Sequence, residues 1–305
     1  MPDRIPSSRF YFEYKGHQIP DLDTFHKFTT STRNGRPIIY LAGDSSLDNK
    51  FWVLNSANST QPVATPSIYK TALEDSGVKL DVAFWLNHFL GSRATAINTA
   101  VEASLLRERK KQLLDHDAFI RDHIGIDDIL IVSVGANDIA MRPNAATIFY
   151  MLLLAWLTPL SSIRNGSAWC LRYFVNMFMT DVEEYVAKLV ENTKPRAVIA
   201  CMIYYPLEAQ AAKQKSWADI PLMALGYNSS PSRLQTAIAK MYELATAKIQ
   251  VRGVEVIPLA LYETLDGKNA DDYIERVEPS VAGGRKMASR LVDIINPMLG
   301  DEAVE

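Results

Sequence analysis

Histidine, cysteine and surplus charge are what this 305-residue chain has least of. Its two cysteines, Cys170 and Cys201, exclude a disulfide framework and a cysteine-rich zinc site. Lys and Arg number 32 against 35 Asp and Glu, so the net charge is -3. No cationic surplus exists to hold a phosphate backbone, and no nucleic-acid partner is expected. The longest unbroken apolar run, residues 148–157, is too short to span a bilayer, so no transmembrane segment is expected. Met1 to Tyr14 lacks the apolar core of a secretory signal, which points to a soluble, cytoplasmic protein. The five histidines are His17, His26, His88, His116 and His123, and none follows residue 123. No metal site and no cofactor is expected.

Against these absences stands an ordinary globular composition, 48% apolar and 22% charged, with ample chain for one large core. Short apolar runs alternate with helical patterns. The runs are 38–42, 94–97, 129–134, 197–204 and 254–257. Each is continuous rather than alternating, as in strands buried on both faces of a parallel sheet. Between them, Val82, Trp85, Leu86, Phe89 and Leu90 sit at helical spacing before Gly91. Thr180 with Glu183 reads as a capping box for a helix carrying Val182, Tyr185, Val186 and Leu189. Ser230-Pro231 opens another helix, and Met287, Leu291 and Ile294 mark the last. The pattern predicts an α/β fold: one domain over residues 1–305 with a flavodoxin-like, doubly wound parallel sheet of about five strands.

Two segments exceed that plan. Residues 1–36 form an N-terminal extension, read as an edge hairpin. Residues 140–179 are rich in large apolar groups and read either as an added helical pair on the core or as an apolar cap at the strand ends. His116, His123 and the basic cluster Arg107, Arg109, Lys110 and Lys111 read as solvated helix faces. His88 reads as a packing residue.

Sites in such sheets lie outside the C-terminal strand ends. The first strand ends in Gly43-Asp44-Ser45, the second in Asn98-Thr99-Ala100, and the third in Gly135-Ala136-Asn137-Asp138. Near the C-terminus stands Glu275-Arg276-Val277-Glu278-Pro279-Ser280. Each alone reads as a cap or a turn. Together and in this order they resemble the SGNH/GDSL hydrolase family, over about residues 38–295. The resemblance implies that Ser45 is the nucleophile. It implies an oxyanion hole from the Ser45 N–H, a backbone N–H at Ala100 and the Asn137 side chain, with Gly43, Asp44 and Asp138 shaping the site.

The chain departs from the family at two places. Ala100 stands where the family has glycine. Glu275 and Glu278 stand where the family has Asp and His. A serine hydroxyl needs a neighbouring base, and imidazole suits the task because its pKa lies near neutrality. A carboxylate, with a reference pKa of about 4.3, serves only if burial or a like charge raises it. Three functions are compatible with this pattern. One is an esterase acting on a small apolar ester, with Glu278 as base. The second is a non-hydrolytic isomerase, lyase or cyclase that polarises an apolar carbonyl compound in the oxyanion hole. The third is a binding protein that has lost catalysis.

Overall fold

The computed structural model describes residues 2–32, 35–56, 63–75 and 77–300. Five strands form one sheet: β1 (Ile38–Gly43), β2 (Thr95–Asn98), β3 (Ile129–Ser133), β4 (Ala197–Met202) and β5 (Glu255–Ala260). Their order is β2-β1-β3-β4-β5, and every pair is parallel. This is the doubly wound flavodoxin-like order, whose switch point falls between β1 and β3. β1 and β3 are buried along their whole length, as their unbroken apolar runs require.

The structure places the strands where the runs predict them, with ends that differ by a few residues. β4 stops at Met202, and Ile203 and Tyr204 lead into the loop beyond it. β5 runs past Ile257 to Ala260, through Pro258. It is an edge strand, where a residue without an N–H costs no ladder bond on the open side.

Helices cover the sheet. In Val82–Leu90 the Asp81 carboxylate caps the Phe84 N–H at 2.7 Å, and Gly91 at φ 60° ends the helix. Val281–Ile295 packs against it, and Ser280 caps the Ala282 and Gly283 N–H groups. Pro231–Leu244 follows Ser230. The capping box at Thr180 does not exist. Thr180 lies inside a π-helical turn, Met177–Asp181, that joins Leu171–Asn176 to Val182–Leu189 without a break, so there is no free helix end to cap.

Residues 1–36 do not form a hairpin. They give a short helix, Ser7–Phe10, and a longer one, Ile19–Thr32, whose Leu22, Phe25 and Phe28 recur at threefold spacing and enter the core. Residues 33–34 of that segment lie outside the described residues. His116 is not on a solvated face either. Its Nε2 meets the His17 carbonyl at 2.7 Å and so ties the N-terminal segment down, while His17 stacks on Phe10. His123 stays exposed, and His88 packs against Phe84, Trp85 and Phe89.

Arg109 also departs from expectation. It is 1% exposed, paired with Asp117 at 2.9 Å and stacked on Tyr185. It donates to the Ser104 hydroxyl and to the carbonyls of Leu105 and Gly43. A guanidinium whose donors are met in this way is stable when buried, and here it braces the end of β1. Arg109→Leu would strand the Asp117 charge. Chemical denaturation should show a loss of about 3–5 kcal/mol.

Among the described residues no helix is long and apolar enough to cross a membrane.

Candidate active site

Ser45 lies two residues beyond the end of β1. A Cβ on Gly43 would stand 2.1 Å from the Ser133 carbonyl oxygen, so only glycine lets β1 pass β3 this closely at its end. The Asp44 N–H then donates to that carbonyl. The Asp44 carboxylate accepts from the Ser46 N–H and hydroxyl, and the Ser46 hydroxyl meets that of Ser133 at 2.6 Å. These bonds fix the turn that presents Ser45. Asp44 is thus a turn-shaping residue, and burial raises its pKa to about 6.

Glu278 arrives from the other end of the chain. It opens the two-residue strand Glu278–Pro279, paired with Tyr273–Ile274. Its neighbours are pinned on both sides: the Tyr204 hydroxyl donates to the Val277 carbonyl at 2.6 Å, and Asn49 Nδ2 to the Pro279 carbonyl at 3.0 Å. The carboxylate is 1% exposed. Burial pushes its pKa up to about 8, and the charges of Asp44, Glu275 and Asp48 add to the rise. The nearby Ser45 hydroxyl acts the other way, by favouring the charged form. The Oε2 atom meets no hydrogen-bond partner among the described residues.

The other expected site residues divide. Asn137 lines the same cavity as Ser45 and Glu278, and one of its Nδ2 hydrogens goes to the Ser104 carbonyl at 3.1 Å. Asp138 does not reach the cavity. Its carboxylate accepts the Leu106 and Arg107 N–H groups and so holds the loop after β2 against the start of the helix Ala136–Ala140. Ala100 is also kept away. Its N–H donates to Asn98 Oδ1 at 3.1 Å, and its side chain is buried in the core. Glu275 does not line the cavity, and its carboxylate accepts the Trp217 N–H at 3.1 Å. It adjoins Arg276, and both hold left-handed backbone, at φ 54° and 65°. No histidine lines the cavity.

Glu102, two residues beyond Ala100, is a further buried acid beside the site. It is fully buried and accepts the Tyr14 hydroxyl at 3.1 Å through Oε1. Burial, then the charges of Glu278 and Asp48, raise its pKa far above the carboxylate range. Beside it lies a buried ion pair, Lys50 with Asp48 at 2.6 Å. Asp48 also accepts the Glu102 and Gly16 N–H groups. Glu102 and Glu278 are thus two buried acids whose charges raise each other's hold on a proton. The one local signal for Glu102 is a charged residue inside the small apolar run 100–103.

The cavity holds about 970 Å³ of empty space, counting its open mouth. Away from Asp44, Ser45, Ser46, Asn137 and Glu278 its walls are mostly apolar. Met151, Leu154, Phe174 and Phe178 come from the 140–179 segment, and Ile238 and Met241 from the helix Pro231–Leu244. Among the described residues no cluster of three or more His, Cys, Asp or Glu is arranged to hold a metal ion.

No family model and no curated protein matches the chain. Its structure is similar to several solved ones. One is a carbohydrate acetylesterase from Sinorhizobium meliloti, at 12% identity and a TM-score of 0.46, covering 86% of this chain and 100% of that one. A second is an aryl esterase from M. smegmatis, at 12% identity and 0.44, covering 86% and 99%. A third is a phospholipase A1 from Streptomyces albidoflavus, at 10% identity and 0.40, covering 84% and 99%.

Proposed function

We propose that the protein is a serine acyl hydrolase for an apolar ester, in which the carboxylate of Glu278 takes the place of an imidazole base. The observation that carries this reading is that Ser45 and a buried, proton-affine carboxylate, Glu278, line the same apolar cavity. A carboxylate with an ordinary pKa is too weak to take a serine proton; one raised towards 8 is a competent base near neutral pH.

The carboxylate of Glu278 accepts the Ser45 proton while Oγ attacks the ester carbonyl carbon. The Ser45 N–H and the second Asn137 Nδ2 hydrogen receive the oxyanion. Collapse expels the alkoxide, which takes the proton from Glu278 and leaves an acyl-serine. Water then attacks that acyl group, with Glu278 again as base, and releases the acid and free Ser45. The apolar walls bind the acyl chain and exclude water, and the 140–179 segment serves as the cap. Asn137→Ala should lower kcat by about 10²-fold with little change in KM, as for loss of one oxyanion donor.

A panel of p-nitrophenyl esters of rising chain length tests the reading, together with a serine-directed phosphonate. Turnover that improves with chain length and a phosphonate adduct on Ser45 support it. A second reading has its own observation. With a pKa near 8, Glu278 is mostly protonated at neutral pH and could give its proton to a polarised carbonyl. Carbonyl chemistry that survives in Ser45→Ala would favour this isomerase- or cyclase-like reading.

A further inference from the structure

The segment that walls the cavity has an outer face as apolar as its inner one. In the helix Ala145–Leu152 and the π-helical turn Leu153–Leu157, Met151 and Leu154 point into the cavity. On the other side Phe149, Leu152, Trp156 and Leu157 are 53%, 46%, 57% and 75% exposed. The same division holds in the helix Asp219–Ala224, where Leu222 lines the cavity while Ile220 and Met223 are exposed. Trp156 joins the two elements, because its Nε1 donates to the Ala224 carbonyl at 3.0 Å. Trp169, 62% exposed, continues the surface by packing on Tyr150. Scattered apolar residues on a surface need no explanation, but this many on adjoining elements mark a contact site.

Charge says what the contact is. Residues 139–180 contain Arg142, Arg164 and Arg172, no lysine and no acid, in a chain whose net charge is -3. All three arginines are exposed. Arg142 is partly offset by Glu108 at 3.8 Å, and Asp219 of the second helix is paired with Arg276. Arg164 and Arg172 have no acidic partner among the described residues, and a symmetric pairing of two copies of this surface would set like charges against each other. An anionic lipid surface complements it, with arginines at the headgroups and tryptophans and aliphatic groups below them.

We infer that the outer face of the 140–179 segment, with the helix Asp219–Ala224, is a docking surface for anionic lipid membranes. The inference goes beyond the chemistry of Ser45 and rests on that reading only where it gives the apolar substrate a source. Binding does not need catalysis, so the two fail separately.

The test is flotation of the full chain with vesicles of phosphatidylcholine plus phosphatidylserine, and with phosphatidylcholine alone. The wild type should float with the anionic vesicles and do so weakly with the neutral ones. Ser45→Ala should float as the wild type does. Phe149→Ser with Leu157→Ser should weaken binding more than about tenfold. Arg164→Glu with Arg172→Glu should weaken it about tenfold on anionic vesicles alone. Thermal melting confirms that each variant is folded. Wild type that stays in the buffer, or variants that float as well as wild type, would overturn the inference. So would a dimer in solution that the Phe149 and Leu157 changes dissociate.

Discussion

Ser45→Ala should abolish ester turnover, with a loss approaching that seen when a serine nucleophile is removed elsewhere, on the order of 10⁶-fold in kcat. The change is small. It deletes one oxygen from a residue held by the turn around it, since Asp44, Ser46 and Ser133 make the bonds that shape that turn. Folding should survive, and KM should change little because the apolar walls remain. The Ser45 hydroxyl lowers the pKa of Glu278, so its removal should raise that pKa further. Steady-state kinetics with a long-chain p-nitrophenyl ester reads the result. A variant that keeps more than a small fraction of turnover would mean that the hydroxyl is not the nucleophile.

Glu278→Gln should lower kcat by about 10²–10⁴-fold, the usual contribution of a positioned base. Glutamine keeps the shape of the side chain and cannot take a proton. The wild-type rate should rise with pH and level off above about 8, where the carboxylate is ionised, and the variant should lose that rise. Stability should move the opposite way. The folded pKa stands above the unfolded value of 4.5, so the native state holds a proton that the unfolded chain releases. Wild-type stability therefore falls as pH climbs from about 4.5 to about 8, and the full cost is present above that range. Glu278→Gln should flatten part of this slope, and Glu102, whose pKa is also raised, accounts for a further part. Denaturant titrations at several pH values check the sign.

The sheet was legible because each buried strand is an unbroken apolar run closed by glycine or a turn. β1 and β3 needed nothing more. β5 runs past the 254–257 pattern to Ala260, through Pro258, which its place at the sheet edge makes tolerable. Ser45, Asn137 and Glu278 were legible as motif positions at strand ends or ahead of the last helix. Ala100, Asp138 and Glu275 were legible as positions too, but a position does not say where a backbone N–H or a carboxylate points. Asn98 takes the Ala100 N–H, the loop at 106–107 takes Asp138, and Trp217 takes Glu275. Arg109 and Glu102 were illegible for a common reason. A buried charge looks like a surface charge until its partners, here Asp117 and Tyr14, arrive from elsewhere in the chain.

A buried glutamate that activates Ser45 in place of histidine leaves a signature in the pH dependence of Ser45 itself. The direct measurement is the rate of covalent labelling of Ser45 by an alkyl phosphonate across pH, read by mass spectrometry of the modified peptide. An adduct should form on Ser45, its labelling rate should rise with pH to a plateau above about 8, and Glu278→Gln should lose that rise. No adduct on Ser45, or a profile with the inflection of an unperturbed imidazole near 6.5 that Glu278→Gln leaves unchanged, would contradict this role of Glu278.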